Sequence, residues 1–64
     1  REFIAEVGAF LSGSGMSRTR FGITVMNDPS FVFELGKGRR VSLHTVDRVR
    51  AYMNDYQQAQ VNAA

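Results

Sequence analysis

Cysteine is absent from this 64-residue chain, which excludes a disulfide framework, a cysteine zinc site and a thiol nucleophile. No apolar run approaches the roughly 20 residues that a membrane-spanning helix needs. A chain of this length forms one small domain and buries only about 60% of its unfolded surface, so nearly every large apolar residue is needed in the core. The sequence begins with Arg1 rather than Met, and we therefore expect it to be a portion of a longer protein.

Acidic residues are scarce in the middle of the chain. Residues 18–50 contain seven Lys or Arg and three Asp or Glu, a net charge of +4, whereas the flanks together carry −2. A basic middle between mildly acidic ends favours a polyanionic partner, and a solvated charged face is the competing interpretation.

Apolar residues recur at helical spacing in four places, which predicts a compact all-α fold of four helices, with five as an alternative. The predicted helices run from about Glu2 to Leu11, from Arg18 to Met26, from Pro29 to Leu35 and from Leu43 to about Tyr56. The residues expected to face inward are Phe3, Ile4, Val7, Phe10, Leu11, Phe21, Val25, Val32, Leu35, Val46, Val49 and Met53. Residues 57–64 either extend the fourth helix or form a flexible tail. A two-stranded alternative would pair FVF at 31–33 with FGITV at 21–25.

Local signals define the helix ends. The SGSG stretch at 12–15 is expected to stop the first helix, while Ser17 and Ser42 are expected to be the N-caps of the second and fourth. Asp28 can cap the third helix, and Pro29 suits its first position because the missing amide hydrogen has no helical partner there. Gly36 and Gly38 are expected to end the third helix.

Two short helices joined by a tight turn and followed by basic residues form a helix-turn-helix pattern. The stretches GMSRTRFG, SFVFEL and GKGRRVSLHTVDRV are similar to the lambda-repressor-like, or Xre/Cro-type, helix-turn-helix family, and the similarity covers roughly residues 2–53. Gly22 stands where this family places a small residue at a helix crossing. Asn27, which tolerates a left-handed backbone, takes the place of the turn glycine found in many members.

The resemblance implies sequence-specific binding of double-stranded DNA by a bacterial or phage transcription regulator, located in the cytoplasm with the nucleoid. The helix-turn-helix core would span residues 17–36 of a DNA-binding domain at 1–56, and the third helix would enter the major groove. The residues expected near base edges are Ser30, Phe31 and Glu34. The residues expected to contact phosphates are Arg18, Arg20, Lys37, Arg39 and Arg40. Glu34 could instead pair with Lys37 or Arg18, and we treat Arg48 and Arg50 as surface residues because Asp47 can pair with Arg50.

No constellation predicts catalysis or a cofactor. His44 is the single histidine; it has no neighbouring ligand set and is expected to be exposed. The GKG stretch lacks the first glycine and the hydroxyl residue of a nucleotide-binding loop. We therefore interpret the chain as a non-enzyme without a metal.

Partners other than DNA are also open at the sequence level. A single module buries little surface on DNA, so we expect a homodimer that pairs through the stretch from Tyr52 onward, including Tyr56 and Val61. The rival function is a protein-interaction module that uses Phe31 and Phe33, for example toward a protein of the transcription machinery. One of these two phenylalanines is expected to be exposed, because Val32 and Leu35 already define an inward face.

Overall fold

The computed structural model describes the backbone of residues 2–63 and the side chains of residues 3–60. Within that range it contains four α-helices and no strand: α1 Glu2–Ser14, α2 Arg18–Met26, α3 Phe31–Gly36 and α4 Leu43–Ala63. The predicted all-α fold is confirmed, and the two-stranded alternative is wrong. None of these helices is both long enough and apolar enough to span a bilayer.

Among the described side chains, each helix contributes two buried apolar residues to one core. These are Val7 and Phe10 of α1, Phe21 and Val25 of α2, Phe31 and Leu35 of α3, and Val49 and Met53 of α4. The members of each pair are three or four positions apart, so they lie on one side of their helix. No polar or charged side chain among the described residues is buried with them. The core therefore depends on apolar packing alone.

Both terminal helices extend beyond their predicted ends. Gly13 and Ser14 remain helical, and α1 ends only where Gly15 takes a left-handed φ of 74° and its amide donates to the Leu11 carbonyl at 2.9 Å. Such a glycine with a bond to an earlier carbonyl is a common helix C-terminus. Residues 57–63 contain no proline or glycine, and α4 continues through them as the extension that was one of the two predicted alternatives.

The boundaries of α2 and the start of α4 agree with the sequence prediction. The Ser17 side chain accepts a hydrogen bond from the Arg20 amide at 3.1 Å, and the Ser42 hydroxyl accepts one from the Thr45 amide at 3.2 Å. Asn27 follows α2 with a φ of 54°, the left-handed conformation expected for a substitute of the turn glycine.

The turn between α2 and α3 is longer than predicted. The Oδ1 atom of Asp28 accepts a hydrogen bond of 3.0 Å from the Ser30 amide. This bond holds Pro29 and Ser30 in the connecting turn, so they do not form the beginning of a helix. Consequently α3 begins at Phe31 instead of Pro29. Its inward face is formed by Phe31 and Leu35, and Val32 is only partly buried against the core.

Gly22 lies where α2 meets this turn. A Cβ atom at this position would collide with the backbone carbonyl oxygen of Asp28 and lie 3.3 Å from the Cβ of Phe31. The expectation of a small residue at a helix crossing is therefore confirmed, and Gly22 allows α2 to pack closely against the turn and α3.

Tyr52 and Tyr56 pack against the core from α4. Both are partly buried; the ring centroids of Phe10 and Tyr56 are 5.3 Å apart, and those of Phe21 and Tyr52 are 5.8 Å apart. The sequence argument that these tyrosines exceed the needs of the core is thus wrong. Val61, the third residue of that argument, lies outside the described side chains.

Candidate nucleic-acid interface

The outward side of α3 and of the turn before it exposes Ser30, Phe33 and Glu34. We call these three residues the α3 face. Arginines flank it on two sides, since Arg18 of α2 lies over Phe33 and Arg39 of the following loop reaches Glu34. The structure thus brings residues of the two predicted contact groups, for bases and for phosphates, to one side of the domain.

Phe31 does not belong to this face. Its side chain is fully buried, with 0% of its surface exposed, so it cannot touch a base edge in this fold. The error arose from the phase of α3: the start at Phe31 turns the i, i+4 pair of Phe31 and Leu35 inward and leaves Phe33 44% exposed. Phe33 is therefore the exposed phenylalanine of the two.

Ser30 is exposed at the entrance to α3. Its amide is occupied by Asp28, whereas its hydroxyl makes no capping hydrogen bond to the helix. The carbonyl of Ser30 accepts from the Glu34 amide at 2.9 Å, which fixes the backbone at the start of α3. The hydroxyl group is therefore available as a donor or acceptor.

Arg39 makes two ion pairs with acidic residues of the helix-turn-helix. Its Nη1 lies 2.7 Å from Oε1 of Glu34 and 3.2 Å from Oδ2 of Asp28. Its guanidinium carbon is also 5.6 Å from the ring centroid of Phe31. The Glu34 partner predicted from sequence, Lys37 or Arg18, is therefore wrong, and Arg39 is the cation that this carboxylate binds.

The end of α3 places Arg39 in this position. Gly38 has a left-handed φ of 95°, its amide donates to the Leu35 carbonyl, and the Arg39 amide donates to the Glu34 carbonyl at 3.0 Å. These two bonds form the Schellman arrangement that reverses the chain after a helix. The reversal returns Arg39 to the side of α3 that carries Glu34.

Arg18 is held differently. Its guanidinium carbon lies 5.5 Å from the ring centroid of Phe33, within the range of a cation–π contact. The contact places the exposed arginine beside the α3 face, and no carboxylate among the described residues forms an ion pair with it. From the sequence, Arg18 was expected to contact phosphate or to pair with Glu34, and its contact with Phe33 was not predicted.

Three further cations complete the basic group. Arg20, Lys37 and Arg40 are exposed, and within the described part of the chain no hydrogen bond or ion pair engages their side chains. Together with Arg18 and Arg39 they form what we call the basic rim. Four of its five members retain guanidinium or ammonium groups that form no ion pair with a carboxylate among the described side chains.

Arg50 lies outside the rim and pairs with α1. Its Nε and Nη2 donate to the two carboxylate oxygens of Glu6 at 2.9 and 2.7 Å, so the expected pairing with Asp47 is wrong. The pKa of Glu6 is held below its ordinary value first by this hydrogen bond; desolvation opposes the effect and the Coulombic attraction of Arg50 adds to it. This ion pair fastens α1 to α4.

A shallow groove of about 720 Å³ runs between α1 and α3 beside the α3 face. Apolar side chains line much of it, including those of Ile4, Leu11, Met16, Val32 and Phe33. Ile4 was predicted to face the core, but it is 38% exposed at the edge of this groove. The groove is the surface that a protein-interaction function would use.

His44 is exposed as expected. Across the described residues no group of three or more His, Asp or Glu side chains could hold a metal ion. Comparisons with protein-family models, with curated proteins and with solved structures found no match to this chain.

Proposed function

We propose that this domain binds double-stranded DNA through its helix-turn-helix, as its resemblance to lambda-repressor-like regulators implies. The observation that carries the proposal is the contact of two arginines of the basic rim with the exposed α3 face. Arg18 and Arg39 each contact a residue of that face, and Arg20, Lys37 and Arg40 are exposed on the neighbouring helix and loop.

The dimensions of α3 suit this task. Its six residues span about 9 Å at 1.5 Å per residue, and the major groove is about 12 Å wide. The turn at Asn27 and Asp28 leads into the start of α3, and the start of the second helix is the part that reads base edges in helix-turn-helix complexes.

The α3 face then supplies the base contacts. The Ser30 hydroxyl can donate to or accept from a base edge, and Phe33 can contact the methyl group of thymine. Glu34 already accepts from Arg39, but a carboxylate has about four lone-pair sites, so it retains capacity to accept from a cytosine amino group. Phe33 thus takes the place among the base contacts that the sequence assigned to Phe31.

The basic rim supplies the phosphate contacts, and a salt series tests this directly. We expect Arg40→Ala to weaken binding to duplex DNA. We also expect the decrease of the logarithm of the binding constant with the logarithm of salt concentration to become less steep by about 0.9, the value for one lost phosphate contact. Arg48→Ala is the matched control, because it removes the same charge from α4, outside the rim. Binding is measured by fluorescence anisotropy from about 50 to about 200 mM salt.

Two outcomes contradict the proposal. One is an unmutated domain that shows no salt-dependent DNA binding even at the lowest ionic strength. The other is an equal change of slope for Arg40→Ala and Arg48→Ala, which indicates a general effect of net charge instead of a defined contact.

The second candidate function is protein binding through the groove between α1 and α3. The 44% exposure of Phe33 at its edge favours this function, because exposed aromatic residues in apolar surfaces often mark interfaces. Phe31 no longer supports it, since that side chain is buried. Two results together would establish this function instead. The domain would fail to bind DNA in the salt series, and it would bind a partner protein with an affinity that Phe33→Ser abolishes.

A further inference from the structure

We infer that Arg39 is an internal counter-ion of the helix-turn-helix: its single positive charge offsets one of the two negative charges of Asp28 and Glu34, so that the α3 face can approach DNA, and it makes no phosphate contact of its own. This inference rests on the proposed function and changes the role assigned to one member of the basic rim. It makes Arg39 a positioning residue, in contrast to Arg40.

The charge distribution gives the first reason. Asp28 and Glu34 are the two acidic residues between Arg18 and Arg40, and both lie at the turn and α3, where a phosphate backbone would approach. Two uncompensated carboxylates there would repel DNA, since like charges placed opposite each other across an interface oppose association. One Arg39 guanidinium binds both of them.

The geometry gives the second reason. The Schellman bonds of Gly38 and Arg39 return the backbone to Glu34, and the guanidinium carbon lies 5.6 Å from the ring centroid of Phe31. Arg39 is thus held from three sides: its own backbone, two carboxylates and an aromatic ring. Arg40, the next residue, has none of these contacts in the described structure and is exposed.

The exposure of the groups sets the expected size of the effect. The side chains of Arg39, Asp28 and Glu34 are 38%, 36% and 49% exposed, so water screens the pairs and their contribution to folding is small. The consequence for DNA is larger than the consequence for folding, because an approaching phosphate meets the two carboxylates in a partly desolvated interface.

A double-mutant cycle on DNA affinity separates the two roles of Arg39. Arg39→Met removes the guanidinium while keeping an unbranched stem over Phe31, and the pair Asp28→Asn with Glu34→Gln removes the repulsion. Asn at position 28 keeps the oxygen that accepts from the Ser30 amide, so the turn is preserved. The four proteins are the unmutated domain, R39M, D28N/E34Q and the triple variant.

The inference predicts strong coupling between the two changes. R39M should weaken DNA binding about tenfold in the original background, because there it removes the cation that pairs with the two carboxylates. In the D28N/E34Q background it should weaken binding less than about twofold and leave the salt slope unchanged, because no phosphate contact is lost.

The inference would be overturned if R39M weakened DNA binding equally in both backgrounds and made the salt dependence less steep by about 0.9 each time, because that result would show a direct phosphate contact. Thermal unfolding of the same four proteins, followed by circular dichroism, verifies that each is folded and measures the ion-pair coupling without DNA. If none of the four binds DNA, the proposed function itself fails, and coupling in the unfolding temperatures would then show only that the ion pairs stabilise the fold. If the four bind DNA without coupling, the proposed function stands and the counter-ion role is rejected.

Discussion

Gly22 shows how a single residue determines the geometry of the interface. The helix-turn-helix brings the backbone of α2 against the Asp28 carbonyl, and only a residue without a Cβ fits between them. The close approach involves backbone on both sides, so a side-chain rearrangement cannot relieve the collision. The position of the α3 face relative to α2 therefore depends on this glycine.

We expect Gly22→Ala to lower the free energy of unfolding by about 2 kcal/mol or more, because overpacking in a closely packed core has a cost of this order. Gly8→Ala is the matched control, since a Cβ there has no heavy atom within 4 Å. Because Gly8 lies within a helix, Gly8→Ala should raise the free energy of unfolding by about 0.5–1 kcal/mol. Urea denaturation of both variants measures the difference, and equal stabilities would contradict the packing described here.

Single residues also mark where sequence reasoning succeeds and where it fails. Asn27 could be predicted to be left-handed, because few other residues tolerate that backbone and the following Asp28 and Pro29 exclude further helix. The burial of Phe31 could not be predicted from the sequence. Val32 and Leu35 are three positions apart and Phe31 and Leu35 are four apart, and either spacing places both residues on one face of a helix. The difference depends on the Asp28 turn, which shifts the start of α3 by two residues.

At the scale of the elements, the ion pair of Glu6 and Arg50 connects the first helix to the last. Sequence alone favoured Asp47 as the partner of Arg50, since the two are one helical turn apart. The fold instead places Glu6 against Arg50 with two hydrogen bonds. A contact between residues 44 positions apart depends on the packing of α1 against α4, which helical periodicity does not determine.

This ion pair predicts the acid sensitivity of the fold. Because the folded-state pKa of Glu6 is lowered, its contribution to stability is fully present above the unfolded-state pKa of about 4.3 and is lost as the pH falls through the folded-state value. Glu6→Gln should therefore lower the melting temperature at neutral pH, and its difference from the unmutated domain should shrink on acidification below about pH 4.

Asp47→Asn provides the control for that measurement, and we expect it to leave the dependence of melting temperature on pH unchanged. Thermal melts followed by circular dichroism at a series of pH values compare the three proteins. If Asp47→Asn rather than Glu6→Gln reduces the acid sensitivity, the local helical pair is the true one and the contact between α1 and α4 is not formed in solution.

For the whole molecule, the sequence predicted the helical architecture more completely than the interface. All four helices and most of the core follow from periodicity, caps and turn residues. The side-chain contacts of the interface could not be predicted in this way, because the partners of long side chains depend on how the helices pack. These are the contacts of Arg18 with Phe33 and of Arg39 with Asp28 and Glu34. Among the described residues, Arg39 is the one member of the basic rim that pairs with carboxylates, and the other four members form no ion pair.

The most direct test of DNA binding by the α3 face is a nuclear magnetic resonance titration of the labelled domain with a short mixed-sequence duplex at low and high salt. We expect amide shift changes at residues 18–20, 30–34 and 37–40 that vanish as salt is raised, with the Tyr52 to Gln60 part of α4 unaffected. Unchanged spectra at low salt, or changes confined to that part of α4, would contradict DNA binding through the helix-turn-helix.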